Sequence, residues 1–173
     1  MPGQPRPDLG FASPDPEEIG FFELLRRLER EGLRFGRAGG PEKEASTDLH
    51  CKRLLVVEHN ELNMEIVEFM LKSAGAEVVK AFDGESAVRA FAADPAGYDA
   101  ILMDLMMPVM DGYAAARAIR ASGQTRAGTV PIIAMSANAY AEDVKKCLDS
   151  GMNAHISKPL FKDVMLRTIA RFV

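Results

Sequence analysis

The sequence has no tryptophan, two cysteines and three histidines among its 173 residues. The cysteines, Cys51 and Cys147, do not form a CxxC pair, so neither a disulfide framework nor a structural zinc finger is expected. The low cysteine count fits a reducing compartment, and we expect a cytoplasmic protein. No apolar run reaches about 18 residues, which argues against a membrane-spanning helix.

The charges nearly balance, with 21 Lys and Arg residues against 25 Asp and Glu residues and a net charge of −4. This balance disfavours nucleic acid or an anionic membrane surface as the main partner, because both attract basic proteins. Hydrophobic residues make up 47% of the chain and charged residues 27%, the usual composition of a soluble globular protein. A chain of this length can bury a sizeable core without a metal or a disulfide.

The composition changes near residue 51. Six of the ten prolines and seven of the fourteen glycines lie in residues 1–41. We therefore expect a Pro/Gly-rich extension over residues 1–51, extended or disordered in part, and a folded domain over residues 52–173. In the extension, apolar residues at helical spacing predict one amphipathic helix over about 17–31, followed by a linker. As a partner-binding helix it would use four apolar anchors, which are Phe21, Phe22, Leu25 and Leu28.

From residue 52 onward, short apolar runs alternate with longer amphipathic segments. The apolar runs, interpreted as strands, are 53–57, 76–81, 98–103, 129–135 and 154–157. The helical candidates lie near 61–74, 84–93, 111–121, 139–149 and 160–172. Because the strand runs are apolar along their length, both faces of the sheet should be covered. Five β-then-α units predict an α/β fold with a doubly wound five-stranded parallel sheet flanked by five helices.

Polar side chains stand where the predicted strands end. The first, third, fourth and fifth strands end in Glu58-His59-Asn60, Asp104, Ser136 and Lys158. In a doubly wound sheet the binding crevice lies outside the carboxyl ends of the strands, so we expect these groups to converge. No Gly-rich phosphate loop follows the first strand and no GxSxG motif occurs, which disfavours a dinucleotide site, a P-loop and a hydrolase.

Four segments, in this order and spacing, carry a family resemblance: VVEHNELNMEIVEFML, ILMDLMMPVMDGYAA, PIIAMSANA and GMNAHISKPL. Together they resemble a response-regulator receiver domain of the CheY-like family over residues 52–173, and are most similar to receivers attached to hybrid histidine kinases. The resemblance implies that Asp104 accepts a phosphoryl group from a phosphohistidine. The donor would be a histidine kinase or a histidine phosphotransfer protein. Such a domain catalyses its own phosphorylation, but we expect it to act as a signalling module rather than as an enzyme.

The resemblance also implies roles for the residues around Asp104. A Mg²⁺ ion would be held by Glu58, Asp104 and the backbone carbonyl of Met106. It would offset the repulsion between the carboxylate and the anionic phosphoryl group. Ser136 and Lys158 would hold the phosphoryl oxygens, by a hydrogen bond and by charge.

The implied output is a conformational switch. Ser136 would move toward the phosphoryl group and His155 would turn inward, which would change the partner-facing surface of the last two helices. The other interpretation is that His155 is a half-buried residue at a strand end, with no part in switching.

His59 departs from the family pattern, because this position usually carries a second acidic residue that ligates the metal directly. Imidazole is a poor ligand for Mg²⁺ and a good one for Zn, Cu, Ni or Fe, so we expect weaker Mg²⁺ binding. Phosphorylation could persist with weak or altered metal dependence, or His59 could support a different metal.

The chain could also be a pseudo-receiver that serves as an interaction or adaptor module without phosphorylation. A plainer interpretation has His59 facing solvent without a role. A phosphatase or phosphotransferase acting on a separate substrate is disfavoured, because a second positioned acid or base is missing.

The extension carries a resemblance of its own. Its segment FFELLRRLEREGLRFGRAGGPEKEA, 25 residues long, is similar to the opening of a type VI secretion baseplate wedge component. A linker helix, a helix docked on the receiver and an artificial fusion are the alternatives. No output domain follows residue 173 in the sequence, so we expect a stand-alone phosphate shuttle or a fragment of a hybrid kinase.

Overall fold

The computed structural model describes residues 47–137 and 141–173. The helix predicted over about 17–31, its linker and the segment similar to a baseplate component all lie outside these residues. The predictions made for them therefore stay predictions.

The described part of the chain contains one parallel sheet and five helices. The strands are β1 (Arg53–Val57), β2 (Glu77–Ala81), β3 (Ala100–Asp104), β4 (Ile132–Ser136) and β5 (Ala154–Ser157). The helices are α1 (Glu61–Lys72), α2 (Gly84–Ala93), α3 (Gly112–Ala121), α4 (Ala141–Asp149) and α5 (Lys162–Ala170). The strand order is β2-β1-β3-β4-β5, and every neighbouring pair is parallel. The predicted fold class, a doubly wound five-stranded sheet flanked by five helices, is confirmed.

Two hydrophobic clusters cover the two faces of the sheet. On one face, side chains of α1 and α5 such as Met64 and Ile169 pack on Leu54 and Leu102. On the other face, residues from α2, α3 and α4 pack on strand residues that include Leu55 and Ile101. This two-sided burial explains why the strand sequences are apolar throughout instead of alternating.

Leu49 belongs to the first of these clusters, although it precedes the predicted start of the domain. Its side chain is fully buried with Leu54 and Leu71. Its backbone N–H donates a hydrogen bond of 2.8 Å to the carbonyl of Ala74, just beyond α1. The chain is therefore anchored to the folded core before β1 begins.

Some strands begin later than their apolar runs. The run at 129–135 becomes a strand only at Ile132, because the N–H groups of Thr129 and Val130 both bond back to the carbonyl of Arg126 and close a turn. Similarly β3 starts at Ala100 rather than at residue 98, and the carbonyl of Tyr98 accepts a hydrogen bond of 2.7 Å from the Arg126 guanidinium. Hydrophobicity marks buried residues, whereas the backbone hydrogen bonds decide which of them extend into a strand.

The register of the sheet places the strand ends beside one another. Val57 pairs with Met103, so the next residues, Glu58 and Asp104, come level at the carboxyl edge. Ser136 extends one residue beyond Met135, the partner of Asp104. The loop after β1 ends at Asn60, whose side chain accepts a hydrogen bond of 3.0 Å from the N–H of Asn63 and so caps α1.

No helix among the described residues combines the length and the apolar character needed to cross a bilayer.

Candidate functional site

Two buried carboxylates share one ammonium group at the carboxyl edge of the sheet. Glu58 is 0% exposed and Asp104 is 2% exposed. The Lys158 Nζ lies 2.6 Å from the Glu58 Oε2 and 3.2 Å from the Asp104 Oδ1. These residues follow or end β1, β3 and β5, so three predicted site residues meet at one place.

The environment of Glu58 favours its ionised form. Burial raises the pKa of this carboxyl, but hydrogen bonds from the Lys158 ammonium and the Asn60 N–H outweigh burial and hold the pKa below its usual value. The Asn60 N–H lies 3.0 Å from the Glu58 Oε1. Glu58 is thus an oxygen donor that keeps its negative charge at neutral pH.

His59 turns a ring nitrogen toward the same carboxylates, although 41% of its side chain is exposed. Its Nδ1 lies 3.0 Å from the Asp104 Oδ2 and 3.4 Å from the Glu58 Oε1. Donor atoms of Glu58, His59 and Asp104 all lie within 4.8 Å of one another. The ring therefore lies at the rim of the cluster with one nitrogen inside it.

The predicted switch residues, Ser136 and His155, are in direct contact. Both are buried, and the Ser136 Oγ lies 2.7 Å from the His155 Nε2. His155 is therefore not half-buried, as the plainer interpretation had it, and its ring lies inside the protein without a phosphoryl group. The backbone carbonyl of Ser136 also accepts a hydrogen bond of 2.6 Å from the N–H of Lys158. One hydroxyl residue is thus bonded to an aromatic ring of β5 and to the backbone of the lysine that pairs with Asp104.

Met106 lies just beyond β3 with its side chain exposed. Its backbone N–H lies 3.4 Å from the Asp104 Oδ1, a long hydrogen bond. The Met106 backbone is therefore adjacent to the phosphoacceptor candidate, and its carbonyl remains a predicted metal ligand.

The loop between β3 and α3 has two features that the structure adds to the sequence pattern, one at Gly112, which was expected only to permit a turn into the next helix, and one at Val109. A Cβ added to Gly112 would overlap the carbonyl oxygen of Asp104, so glycine permits a close approach of α3 to the end of β3. Val109 has φ of 67°, a left-handed conformation that β-branched residues rarely adopt, and its side chain is exposed. Backbone outliers of this kind cluster at functional loops.

The donor set agrees only in part with the predicted Mg²⁺ site. The carboxylates of Glu58 and Asp104 are the hard oxygen ligands that Mg²⁺ prefers. The imidazole of His59 is not such a ligand and is better suited to zinc-like ions. Two of the three donors therefore fit Mg²⁺ and the third does not.

The fold and this cluster define a doubly wound α/β domain with a charged site at the carboxyl edge of its sheet. The family model of the response regulator receiver domain matches residues 54–170. The chain belongs to this family of two-component signalling proteins.

Curated relatives include both long kinases and a short regulator. Hybrid signal transduction histidine kinase L of Dictyostelium discoideum is 35% identical over 138 residues, which are 79% of this chain and 8% of that kinase. Sensor histidine kinase GacS of Pseudomonas protegens is 31% identical over 137 residues, 79% of this chain and 15% of that kinase. The rice two-component response regulator ORR41 is 40% identical over 122 residues, 69% of this chain and 93% of that protein. The chain thus spans a small part of the kinases and nearly all of the rice regulator.

Solved receiver domains share the fold. The receiver domain of sensor histidine kinase PA1611 from Pseudomonas aeruginosa PAO1 has a magnesium ion coordinated in its active site cleft. It is 44% identical, with a TM-score of 0.63 over 70% of this chain and 96% of that domain. Chemotaxis protein CheY4 of Vibrio cholerae is 26% identical, with a TM-score of 0.65 over 70% of this chain and 98% of that protein.

Proposed function

We propose that this domain accepts a phosphoryl group on Asp104 from a phosphohistidine donor, either a histidine kinase or a histidine phosphotransfer protein. The observation that carries the proposal is the position of the Asp104 carboxylate, which ends β3 beside Glu58 and within 3.2 Å of the Lys158 ammonium. Membership of the receiver family supports it, as do the histidine kinases among its relatives. The two free cysteines fit a reducing cytoplasm, where we place this reaction.

In the proposed reaction, one carboxylate oxygen of Asp104 attacks phosphorus. An O–P bond forms and the P–N bond to the donor histidine breaks, leaving an acyl phosphate on Asp104 and a histidine that takes up a proton. The Lys158 ammonium, now paired with two carboxylates, is positioned to bind the phosphoryl oxygens as they take up charge. Ser136 would supply a hydroxyl donor from the end of β4.

A divalent cation held by the carboxylates of Glu58 and Asp104 would offset the repulsion between Asp104 and the incoming phosphoryl group. The magnesium ion in the PA1611 receiver domain supports a cation in the corresponding cleft here. The protein contributes oriented groups, and the donor supplies the reactive phosphorus bond. The domain is therefore a signalling module rather than an enzyme with turnover on a separate substrate.

The contact between Ser136 and His155 supports the proposed switch. Their 2.7 Å hydrogen bond links the site to the buried face of β5. If the Ser136 hydroxyl turns to a phosphoryl oxygen, this bond must break or rearrange, and His155 gains freedom to move. Nitrogen relaxation dispersion on the free and beryllofluoride-treated domain tests this step. Resonances of β5 and α5 that stay unchanged on treatment would contradict the switch.

A phosphorylation-independent pseudo-receiver is the second candidate, favoured by one observation. His59 replaces an acidic side chain and its Nδ1 lies 3.0 Å from the nucleophile candidate, where it occupies an oxygen of Asp104. In this alternative the domain would present its surface to a partner as an adaptor.

Intact-protein mass spectrometry separates the two candidates. The full chain is incubated with acetyl phosphate and either Mg²⁺ or Mn²⁺, with Asp104→Asn as the control. We expect one added phosphoryl group in the parent protein and none in the control. An unmodified parent under rapid-quench conditions with both metals would reject phosphorylation and favour the pseudo-receiver.

A further inference from the structure

Three donor atoms of two chemical kinds meet at the carboxyl edge of the sheet. They are the Nδ1 of His59 and carboxylate oxygens of Glu58 and Asp104, within 4.8 Å of one another. We infer that they bind a divalent d-block cation of the zinc type, and that His59 is the ligand that sets this preference over Mg²⁺. The inference rests on the proposed function, because it concerns the same site. It adds the type of cation that this chain selects there.

With His59 neutral, as a metal ligand must be, the charged side chains of the site leave a net negative charge for a cation. Glu58 and Asp104 bring two formal negative charges, and Lys158 brings one positive charge, so the three side chains sum to −1. Both carboxylates are buried, and buried charges are normally paired or coordinate a metal. The His59 nitrogen and the Lys158 ammonium contact different oxygens of Asp104, Oδ2 and Oδ1. A cation beside His59 would thus reach a carboxylate oxygen that Lys158 does not bind.

The separations of the donor atoms suit a single metal. Bonds of about 2.1 Å to one ion place two ligands about 3.0 Å apart at a right angle and about 3.4 Å apart at a tetrahedral angle. The Nδ1 of His59 lies 3.0 Å from the Asp104 Oδ2 and 3.4 Å from the Glu58 Oε1. Both separations that involve the His59 nitrogen therefore match those of two ligands on one ion.

The type of donor decides which ion is favoured. Mg²⁺ takes oxygen ligands and holds its waters strongly, so a nitrogen donor adds little to its binding. Zinc-type ions accept imidazole and carboxylate together, as in catalytic sites with three protein ligands. Because part of the His59 side chain is exposed, an ion bound beside it could enter from solvent and complete its coordination with water.

Calorimetric titration of the full chain with Zn²⁺ and, separately, with Mg²⁺ tests the inference. A site made only of oxygen ligands can also favour Zn²⁺. The deciding quantity is therefore the ratio of the Zn²⁺ affinity to the Mg²⁺ affinity, and how it changes when His59 is replaced. His59→Asp should lower that ratio by at least about tenfold, since even the loss of a supporting residue costs a metal site that much. His50→Asp is the matched control, because it makes the same change at an exposed histidine outside the cluster. It also reveals any zinc held near His50 and the exposed Cys51.

A second measurement needs no variant. In a chain with ¹⁵N-labelled histidine, Zn²⁺ should shift the Nδ1 resonance of His59 much further than Mg²⁺ does, because only the zinc-type ion would bond to the nitrogen. A ratio that is the same in the parent and His59→Asp, or a zinc-induced shift confined to His50, overturns the inference.

The two proposals fail separately. Zinc bound through His59 without phosphorylation of Asp104 would reject the proposed function and keep the metal assignment. If Asp104 is phosphorylated but replacing His59 leaves the ratio of metal affinities unchanged, the metal assignment is rejected and the proposed function is kept.

Discussion

Glu58 and Lys158 are separated by 100 residues in the chain, yet their side chains form an ion pair of 2.6 Å. Glu58 directly follows β1 near the middle of the sheet, and Lys158 follows β5 at its edge. Asp104, which ends β3, one of the two strands between them, lies 3.2 Å from the same ammonium. The pair therefore connects the outer strand to the site across two intervening strands.

Removing one partner of this pair should destabilise the domain. Lys158→Met leaves the buried Glu58 without its main counter-charge, and we expect the free energy of unfolding to fall by about 3 kcal/mol. A double-mutant cycle with Glu58→Gln, followed by urea unfolding in metal-free buffer, should give a coupling of about 1–3 kcal/mol. Additive losses in the double variant would show that the pair contributes little.

The lowered pKa of Glu58 predicts how stability depends on pH. Because folding lowers this pKa from its ordinary value of 4.5, the folded state binds this proton less strongly than the unfolded chain does. The resulting stabilisation is present above pH 4.5 and is lost as the pH falls through the folded-state pKa. Glu58→Gln should therefore flatten the acid side of the curve of unfolding free energy against pH, measured without metal. Parallel acid limbs in the parent and the variant would contradict this.

Gly112 should be intolerant of a side chain. A Cβ there would overlap the Asp104 carbonyl oxygen, so Gly112→Ala should cost about 1–3 kcal/mol of stability and slow phosphorylation by acetyl phosphate. Gly128→Ala is the matched control, because open space surrounds Gly128 and its change should stay within about 0.5 kcal/mol. Equal effects of the two substitutions on unfolding and on phosphorylation rate would disprove the close-approach argument.

Leu49 should contribute to stability as a core residue. It is fully buried in the cluster under α1 and α5, so Leu49→Ala should lower the free energy of unfolding by about 2–4 kcal/mol. Leu62→Ala removes the same atoms from an exposed position of α1 and should change the free energy of unfolding by less than about 0.5 kcal/mol. Chemical denaturation of both variants checks the prediction, and a Leu49→Ala loss as small as that of Leu62→Ala would contradict it.

Much of the fold was accessible from local patterns. The alternation of apolar runs and amphipathic segments predicted five β-then-α units, and the family match and the sheet confirm them. The boundaries were less accessible. The run starting at residue 129 becomes a strand only at Ile132, because a turn closed by Arg126 takes up its first residues. Leu49 lay in a region predicted to be an extension, and only its contacts with α1 show that it is core.

The sequence predicted which residues form the site, but not the contacts and distances between their side chains. Glu58, Asp104, Ser136 and Lys158 stand at strand ends, and the doubly wound topology brings them to one edge. The sequence did not show that Lys158 contacts both carboxylates, nor that the Ser136 hydroxyl is bonded to His155. The capping role of Asn60 had a recognisable signal, an asparagine just before a helical segment.

The sequence by itself determined the class of fold and the kinds of group available at the edge of the sheet, because hydrophobic periodicity and residue chemistry are local properties. The resemblance to the receiver family also implied that the imidazole of His59 stands where an acidic side chain is usual. The tertiary structure decided what these groups do to one another. The pairing of Val57 with Met103 brings Glu58 level with Asp104, and the side chain of Lys158 reaches both carboxylates from the end of β5. Distances between charges depend on register and packing across strands far apart in sequence, and those distances set the pKa of Glu58 and place the Nδ1 of His59 beside Asp104.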